Sequence, residues 1–441
     1  MRLQLAYGRE GLWIELPEDA QVTVIEPEFV PGLSPEDEQA ALVAALRAPI
    51  GTPPLRELVR PDDTVAVVFS DLTRPMPNDR VLPPLLGELA RAGVPDGQIV
   101  LVNALGTHRP QTEEELARML GSEVAARYRV VQHDAWDDEN LVEVGRNRAG
   151  RAVRVNRAYM ETTVRILTGF IEPHFFAGFS GGPKAVLPGI SDIEAILDNH
   201  GAPMIADPQA TWTVTEARPE QGRRGNPIWE EMLAVAQSTA PAFLLNVTLN
   251  QNREITGVFA GDLVAAHRAG VDFLQPRAMR PVPEPADIVI TSNSGYPLDL
   301  NLYQAVKGMS AAARIVRPGG DIIIAAECWD GVPSHGEYRR LLWEASSPQE
   351  LLDRVMAPGF RCHDQWEAQV QAQIQLKANV HVYADGLSDE ELRRALVIPC
   401  RSIEETVARL RRDNPGATIA VLPDGPQTVP YVETSEAAAR C

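Results

Sequence analysis

Short apolar runs and longer mixed runs alternate along the first half of the chain. "TVAVVFS" (64–70), "QIVLVNA" (98–104) and "RYRVVQHD" (127–134) are rich in β-branched residues, as strands covered on both faces are. Between them lie the helix-like stretches "DRVLPPLLGELARAG" and "TEEELARMLGSEVAAR". Strands alternating with helices of this length predict an α/β layer structure with mainly parallel strands. Two further strands are expected around 152–155 and 163–168. The opening "MRLQLAYGREGLWIELPED" alternates as a hairpin does, and Ser34, with Glu36 and Asp37 behind it, opens a helix over "SPEDEQAALVAALRAP".

"FLQPRAMRPVPEPAD" (273–287) holds four prolines and no periodicity, the composition of a linker. Beyond it the α/β pattern restarts with "DIVITSN", "RIVRPGGDIIIAAEC", "NVHVYAD", "ALVIPC", a helix opened by Ser402, and "ATIAVLPDG". The fold class expected is therefore α/β, as two α/β domains with mainly parallel sheets around an interdomain cleft. An N-terminal domain over 1–275 and a C-terminal one over 286–430 are the boundaries this reading gives.

Composition narrows the classes. At 441 residues, 44% of them hydrophobic, the chain is long enough for two or three domains with substantial cores. Sixty acidic against 41 basic residues give a formal charge of -19 and no basic stripe, which argues against nucleic acid as a partner. The start lacks the features of a signal peptide, and no apolar run approaches the roughly 18 residues of a membrane span, so a cytoplasmic protein with no membrane partner is expected. Four cysteines without a CxxC pair make no disulfide framework.

The candidate chemistry gathers at strand ends and one glycine-rich stretch. In "SDLTRPMPNDR" (70–80), Asp71, Thr73 and Arg74 follow a strand directly, where open α/β sheets expose ligand sites. Arg74 there is either a bidentate clamp for a phosphate or carboxylate or a solvated arginine on a rigid turn. In "NALGTHRPQTEEE" (103–115), His108 holds the same place after its own strand. "GFIEPHFFAGFSGGPKAVLPG" (169–189) and its continuation to Gly201 supply His174, Lys184 and His200. Lys184 lacks the preceding glycine and following Ser/Thr of a phosphate-loop lysine, because Pro183 and Ala185 stand there. An amine bracketed by glycines and prolines suits a charge contact or a covalent bond, and a flexible surface lysine remains the competing reading. Past the linker, Gln304 and Lys307 are spaced to share a helix face. His133, His267 and His381 sit in strand or helix patterns and read as ordinary, while His335 and His363 stay open.

Together, "DLTRPMP", "GTHRP", "GFIEPHFFAGFSGGPKAVLPGI" with Asn199 and His200, "GYPLDLNLYQAVKG" and "LPDGPQTVP" resemble the nickel-pincer-dependent lactate racemase family of 2-hydroxy acid racemases and epimerases. The resemblance spans nearly the whole chain. It implies two α/β domains around a cleft, with the chain end near 431–441 returning to the first domain. It also implies nickel and a pyridinium-3,5-bisthiocarboxylic acid mononucleotide, covalently bound through Lys184 by a thioamide. His200 then completes the nickel coordination, and His108 and His174 are the acid/base pair. Asp71, Thr73 and Arg74 match the turn near the cofactor's nucleotide part, and Arg74, Gln304 and Lys307 the groups that orient substrate. Trp366, in "CHDQWEAQVQAQ" (362–373), is the nearest counterpart of the family's aromatic wall. The partners implied are a small 2-hydroxy acid and the enzymes that carboxylate, sulfurate and insert nickel into the cofactor.

These residue types suit that chemistry. The C2 hydrogen of a 2-hydroxy acid is weakly acidic; leaving as hydride while a base takes the hydroxyl proton, it yields a planar 2-keto acid. Histidine titrates near neutral pH, and two of them answer the two mirror-image placements of the hydroxyl. Lactate or another short aliphatic acid is the expected substrate, since the carboxylate and hydroxyl occupy the cationic and polar groups singled out. Two other classes remain at this stage. One is a zinc hydrolase with His108, His174 and His200 as ligands; the other is a non-catalytic binder of a nucleotide-like ligand.

Overall fold

The computed structural model describes residues 1–217, 219, 222–334 and 336–433; His335 lies outside them. The chain divides into two compact units. One is Phe29–His200 with Asp207–Gln275, and the other is Met1–Glu28, Gly201–Ala206 and the chain from Pro276 onward.

The first unit is built on a six-stranded sheet ordered Ile255–Gly261, Phe243–Leu249, Val164–Phe170, Val65–Ser70, Ile99–Ala104, Arg129–Gln132. All neighbours are parallel except the first pair. The apolar runs read as buried strands are buried: Val65 to Phe69 have no measurable exposure. One face is covered by Leu82, Leu85, Leu86 and Leu89 of helix Asn78–Arg91 and by Leu42 and Leu46 of helix Pro35–Arg47. The latter helix starts where Ser34 accepts the Asp37 N–H at 3.2 Å. Because Val164–Phe170, Val65–Ser70 and Ile99–Ala104 are adjacent and parallel, the segments following them leave the same sheet edge.

The second unit has a six-stranded, wholly parallel sheet ordered Ile398–Pro399, Asn379–Tyr383, Val316–Ala325, Ala286–Ser292, Ile419–Leu422, Val22–Val24. Its helix Gln365–Lys377 is polar in sequence yet buried nearly throughout. The buried amides are used. Gln371 accepts the Tyr338 hydroxyl and donates to Ala395 O at 2.8 Å, and Gln369 donates to Ala202 O at 3.1 Å.

Two boundary expectations are corrected and one is refined. The N-terminal unit does not begin at residue 1: Met1–Glu28 clusters with the C-terminal segment, because Val22–Val24 pairs with Ile419–Val421 and Leu5, Tyr7, Ile14 and Leu16 enter that unit's core. The stretch 273–287 does contain the passage between units, after Gln275, but it is regular structure rather than a separate linker. Helix Leu263–Ala278 runs through Pro276 near its last turn, and strand Met279–Val282 follows at once. The chain end, as far as Glu433, does not return to the first unit, since Val429–Val432 pairs with Met279–Val282 in the second; residues 434–441 lie outside the described part. Among the described residues Cys328, Cys362 and Cys400 are free thiols, and no helix is long and apolar enough to cross a membrane.

Candidate active site

Asp71 is the residue just past strand Val65–Ser70, and its carboxylate is almost fully buried. One oxygen accepts from Thr73 twice, from N–H at 3.2 Å and from the hydroxyl at 2.8 Å. The other oxygen bonds His108 Nδ1, and Arg74 Nε lies 3.8 Å from the first. Burial acts to raise this carboxyl, but His108, Arg74 and Thr73 outweigh it, so the group is held below the ordinary aspartate range as an anion. An anion on Nδ1 fixes the ring of His108 and leaves Nε2 for chemistry. The loop bearing His108 is tied to the lysine loop by Gly106 N–H donating to Gly189 O at 2.9 Å.

The glycine-rich stretch follows strand Val164–Phe170. A two-residue ladder, Pro173–His174 against Gly178–Phe179, turns the chain back, and a 3-10 turn over Gly182–Ala185 carries Lys184. Lys184 Nζ lies 2.9 Å from His174 Nε2. His174 Nδ1 accepts the Ala177 N–H at 3.2 Å, so the proton of the neutral ring is on Nε2. Phe176 is the centre of the group. His174 meets its ring edge-on at 4.6 Å, His200 at 5.1 Å, and Lys184 Nζ lies 5.7 Å from its centroid. His200 ends helix Ile193–Asn199 and is 4% exposed. Burial pushes its imidazole well below the ordinary histidine range, and positive charge on Lys184 pushes the same way. It is therefore neutral at physiological pH, as a metal ligand must be.

The third group lies in the other unit. Asn301 caps helix Leu302–Ala313 by accepting Gln304 N–H at 3.1 Å, and Gln304 and Lys307 follow on one face. Gln304 is buried, and its Oε1 has no hydrogen-bond partner among the described residues. Trp366 is 4% exposed and donates its indole N–H to the Tyr303 hydroxyl at 2.8 Å. Helices Leu302–Ala313 and Gln365–Lys377 pack together, which brings Tyr303, Gln304, Lys307 and Trp366 into one neighbourhood.

The sequence patterns of two known domains match this chain: the lactate racemase N-terminal domain over residues 7–213 and the lactate racemase C-terminal domain over residues 282–429. This chain belongs to the lactate racemase family. The lactate racemase of Thermoanaerobacterium thermosaccharolyticum is 35% identical over 428 residues, 96% of this chain and 97% of that protein. That of Lactiplantibacillus plantarum is 36% identical over 395 residues, 88% and 90% of the two. The structure of the lactate racemase apoprotein from T. thermosaccharolyticum superposes with a TM-score of 0.89 at 33% identity, covering 98% of this chain and all of that one. A Thermotoga maritima protein shares the fold, with a TM-score of 0.68 at 19% identity over 92% of this chain.

Membership of the lactate racemase family implies a nickel-pincer nucleotide, and the donor set here fits one. A lysine, a neutral buried histidine and a second histidine meet at one aromatic ring. A metal with a single protein histidine must take its other ligands from a bound group, which a pincer supplies. The three-histidine zinc site is not assembled. His108 is bonded to Asp71 and His174 to Lys184, and no three His, Cys, Asp or Glu side chains among the described residues are grouped to hold a metal.

Phe176, Tyr303 and Asn246 carry no local signal that singles them out, and His267, in a helical pattern, reads as ordinary. For the lysines one signal was available. Only three lysines stand in the chain, Lys184, Lys307 and Lys377. Where arginine carries nearly all the positive charge, a lysine is rarely there for surface charge alone.

Proposed function

We propose that this protein racemises lactate or another short aliphatic 2-hydroxy acid at C2, with Lys184 as the attachment point of its nickel-pincer nucleotide and His200 as the metal ligand. The observation that carries the reading is the convergence of His174, Lys184 and the neutral, buried His200 on the ring of Phe176. When bound, the nickel-pincer nucleotide supplies the acceptor for the C2 hydride.

The chain's own residues do the rest. Arg74 is the cation proposed for the substrate carboxylate, and Gln304 and Lys307, on the face of helix Leu302–Ala313, are the polar groups proposed to orient substrate. His108 Nε2 takes the hydroxyl proton of one enantiomer, and the Asp71 anion on Nδ1 stabilises the imidazolium that results. His174 serves the other enantiomer, which requires its ring proton to move from Nε2 to Nδ1 and the Ala177 N–H contact to open, so that Nε2 becomes the base. Once Lys184 Nζ is committed to a covalent bond, that nitrogen no longer faces a basic amine and is released for proton transfer. Loss of hydride and proton leaves the planar 2-keto acid. The 2-keto acid then turns about its C1–C2 bond and presents its other face. The opposite histidine, in its protonated form, returns a proton to the carbonyl oxygen as the hydride is given back. The two histidines regain their starting protonation by exchange with solvent, so that nothing is consumed. Trp366, steadied by Tyr303, walls the side-chain pocket and favours short substituents.

The test is intact-mass and nickel analysis of protein made alongside the carboxylating, sulfur-transfer and nickel-inserting enzymes, followed by chiral assay over a panel of D- and L-2-hydroxy acids. An adduct on the Lys184 peptide, nickel, and interconversion of short aliphatic members are expected. Activity confined to aromatic or dicarboxylic acids would reject the substrate, and no C2 inversion in adduct-bearing protein would reject the reaction.

A further inference from the structure

Two polar side chains sit where polarity is costly. Asn246 stands in the middle of strand Phe243–Leu249, between the fully buried Leu245 and Val247, and is itself fully buried. His267 faces inward from helix Leu263–Ala278 at 2% exposure, and burial holds its imidazole below the ordinary range. An amide or imidazole so placed destabilises a core unless its polar atoms are used. Both are used on the same few backbone atoms. Asn246 Oδ1 accepts Gly182 N–H at 2.8 Å while its Nδ2 donates to Leu245 O at 3.0 Å. His267 Nε2–H donates to Ser180 O at 2.9 Å.

The backbone between those two bonds is Gly181 and Gly182, at φ +74° and +52°, a left-handed pair that side chains resist. The fit beneath them is close. A Cβ on Gly181 would meet Asn246 Oδ1 at 2.5 Å, and one on Gly182 would meet His267 Cδ2 at 2.7 Å. The turn then passes its geometry on, because Lys184 N–H donates to Gly181 O at 3.1 Å. Side chain, turn and lysine form one rigid series.

We infer that Asn246 and His267 are positioning residues for the Lys184 amine: they fix the Gly181–Gly182 turn from below and so hold the amine in the place where it reacts. The inference rests on the reading of Lys184 as the attachment point. Neither residue touches the reacting atoms. Their effect is on the probability that Nζ lies where an activated carboxyl group presents itself, and a displacement of about 1 Å is enough to cost on the order of 100-fold in rate.

The test compares His267→Gln, whose amide N–H reaches as far as the imidazole Nε2–H, with His267→Asn, which is equally polar but too short to reach Ser180 O. Each full-length variant is made with the cofactor-forming enzymes, and adduct occupancy at Lys184 is read by intact mass. In parallel, cofactor-free protein is treated with N-hydroxysuccinimidyl acetate, and acetylation at Lys184 is measured against Lys377 in the same sample. With melting temperature and far-UV circular dichroism as controls, His267→Asn and Asn246→Leu are expected to lower both occupancy and the labelling ratio about tenfold or more, and His267→Gln to restore them to within about threefold. Equal values for the Gln and Asn variants, or wild-type values for His267→Asn, would overturn the inference. Wild-type protein without any Lys184 adduct would instead reject the attachment reading, and the labelling ratio would still decide whether the turn positions the amine.

Discussion

A racemase meets its substrate in two mirror-image forms, and the equilibrium constant between them is unity. A change at either base must therefore lower kcat/KM equally in both directions, even where each histidine handles one enantiomer, as proposed for His108 and His174. His108→Ala and His174→Ala are each expected to reduce kcat/KM by about 10^2- to 10^4-fold in both directions. The asymmetry is visible only before turnover. Rapid quench should detect 2-keto acid formed from one enantiomer in the first variant and from the other enantiomer in the second; the same enantiomer in both would refute the division of labour. Nickel retention separates a third role. His200→Ala should lose nickel from adduct-bearing protein while the other two variants keep it, as metal analysis after gel filtration would read. Asp71 acts through His108: Asp71→Asn keeps the shape but removes the anion opposite Nδ1 and should lower kcat with little change in KM.

At the scale of elements, the strands, the hairpin and the helices opened by Ser34 and Ser402 were legible, because each is set by local pattern and capping chemistry. The strand-end placement of Asp71 and His108 followed from that pattern. What local sequence could not carry was distance along the chain. His267 reaches Ser180 across 87 residues and Asn246 reaches Gly182 across 64, so a polar residue in an apolar run looked ordinary. The prolines of 273–287 marked the passage between units after Gln275 but hid the regular structure there, for a related reason. Pro276 falls near the helix end and Pro281 in a strand whose partner, Val429–Val432, lies far downstream.

His133 was read as ordinary, and its surroundings give it a structural task. Its Nε2–H donates to Ser191 O at 3.0 Å and its Nδ1 faces Asn156 Nδ2 at 3.4 Å, joining the end of strand Arg129–Gln132 to the start of the helix that carries His200. Burial depresses its pKa from 6.5 to about 4. The folded state thus binds this proton less readily than the unfolded chain, and the resulting stability, present above about pH 6.5, is lost as pH falls toward 4. The full difference is on the order of 3 kcal/mol. His133→Gln, which keeps a donor for Ser191 O and does not titrate, should be less stable at pH 7.5 but lose less stability on going to pH 5. Parallel denaturation curves at the two pH values would show whether it does.

At the scale of the whole molecule, the two units are not consecutive along the chain. The polypeptide leaves one for the other after Glu28, His200, Ala206 and Gln275. The first 28 residues matter most to the C-terminal unit. Leu5, Tyr7, Ile14 and Leu16 are buried in its core, Val22–Val24 forms the edge of its sheet, and Tyr7 donates its hydroxyl to Asp385 at 2.7 Å. Four side chains at roughly 1.5–3 kcal/mol each come to about 6–12 kcal/mol, comparable to the whole net stability of an ordinary domain. A fragment of residues 276–433 expressed alone is therefore expected to lack a cooperative unfolding transition. Joining residues 1–28 to its start through a flexible glycine-serine linker should restore one, because the missing strand and core residues return with an entropic cost that grows only slowly with linker length. Urea denaturation followed by circular dichroism tests the pair. A cooperative transition of the same midpoint in both polypeptides would show that the N-terminal hairpin and strand lie on the C-terminal unit without holding it together.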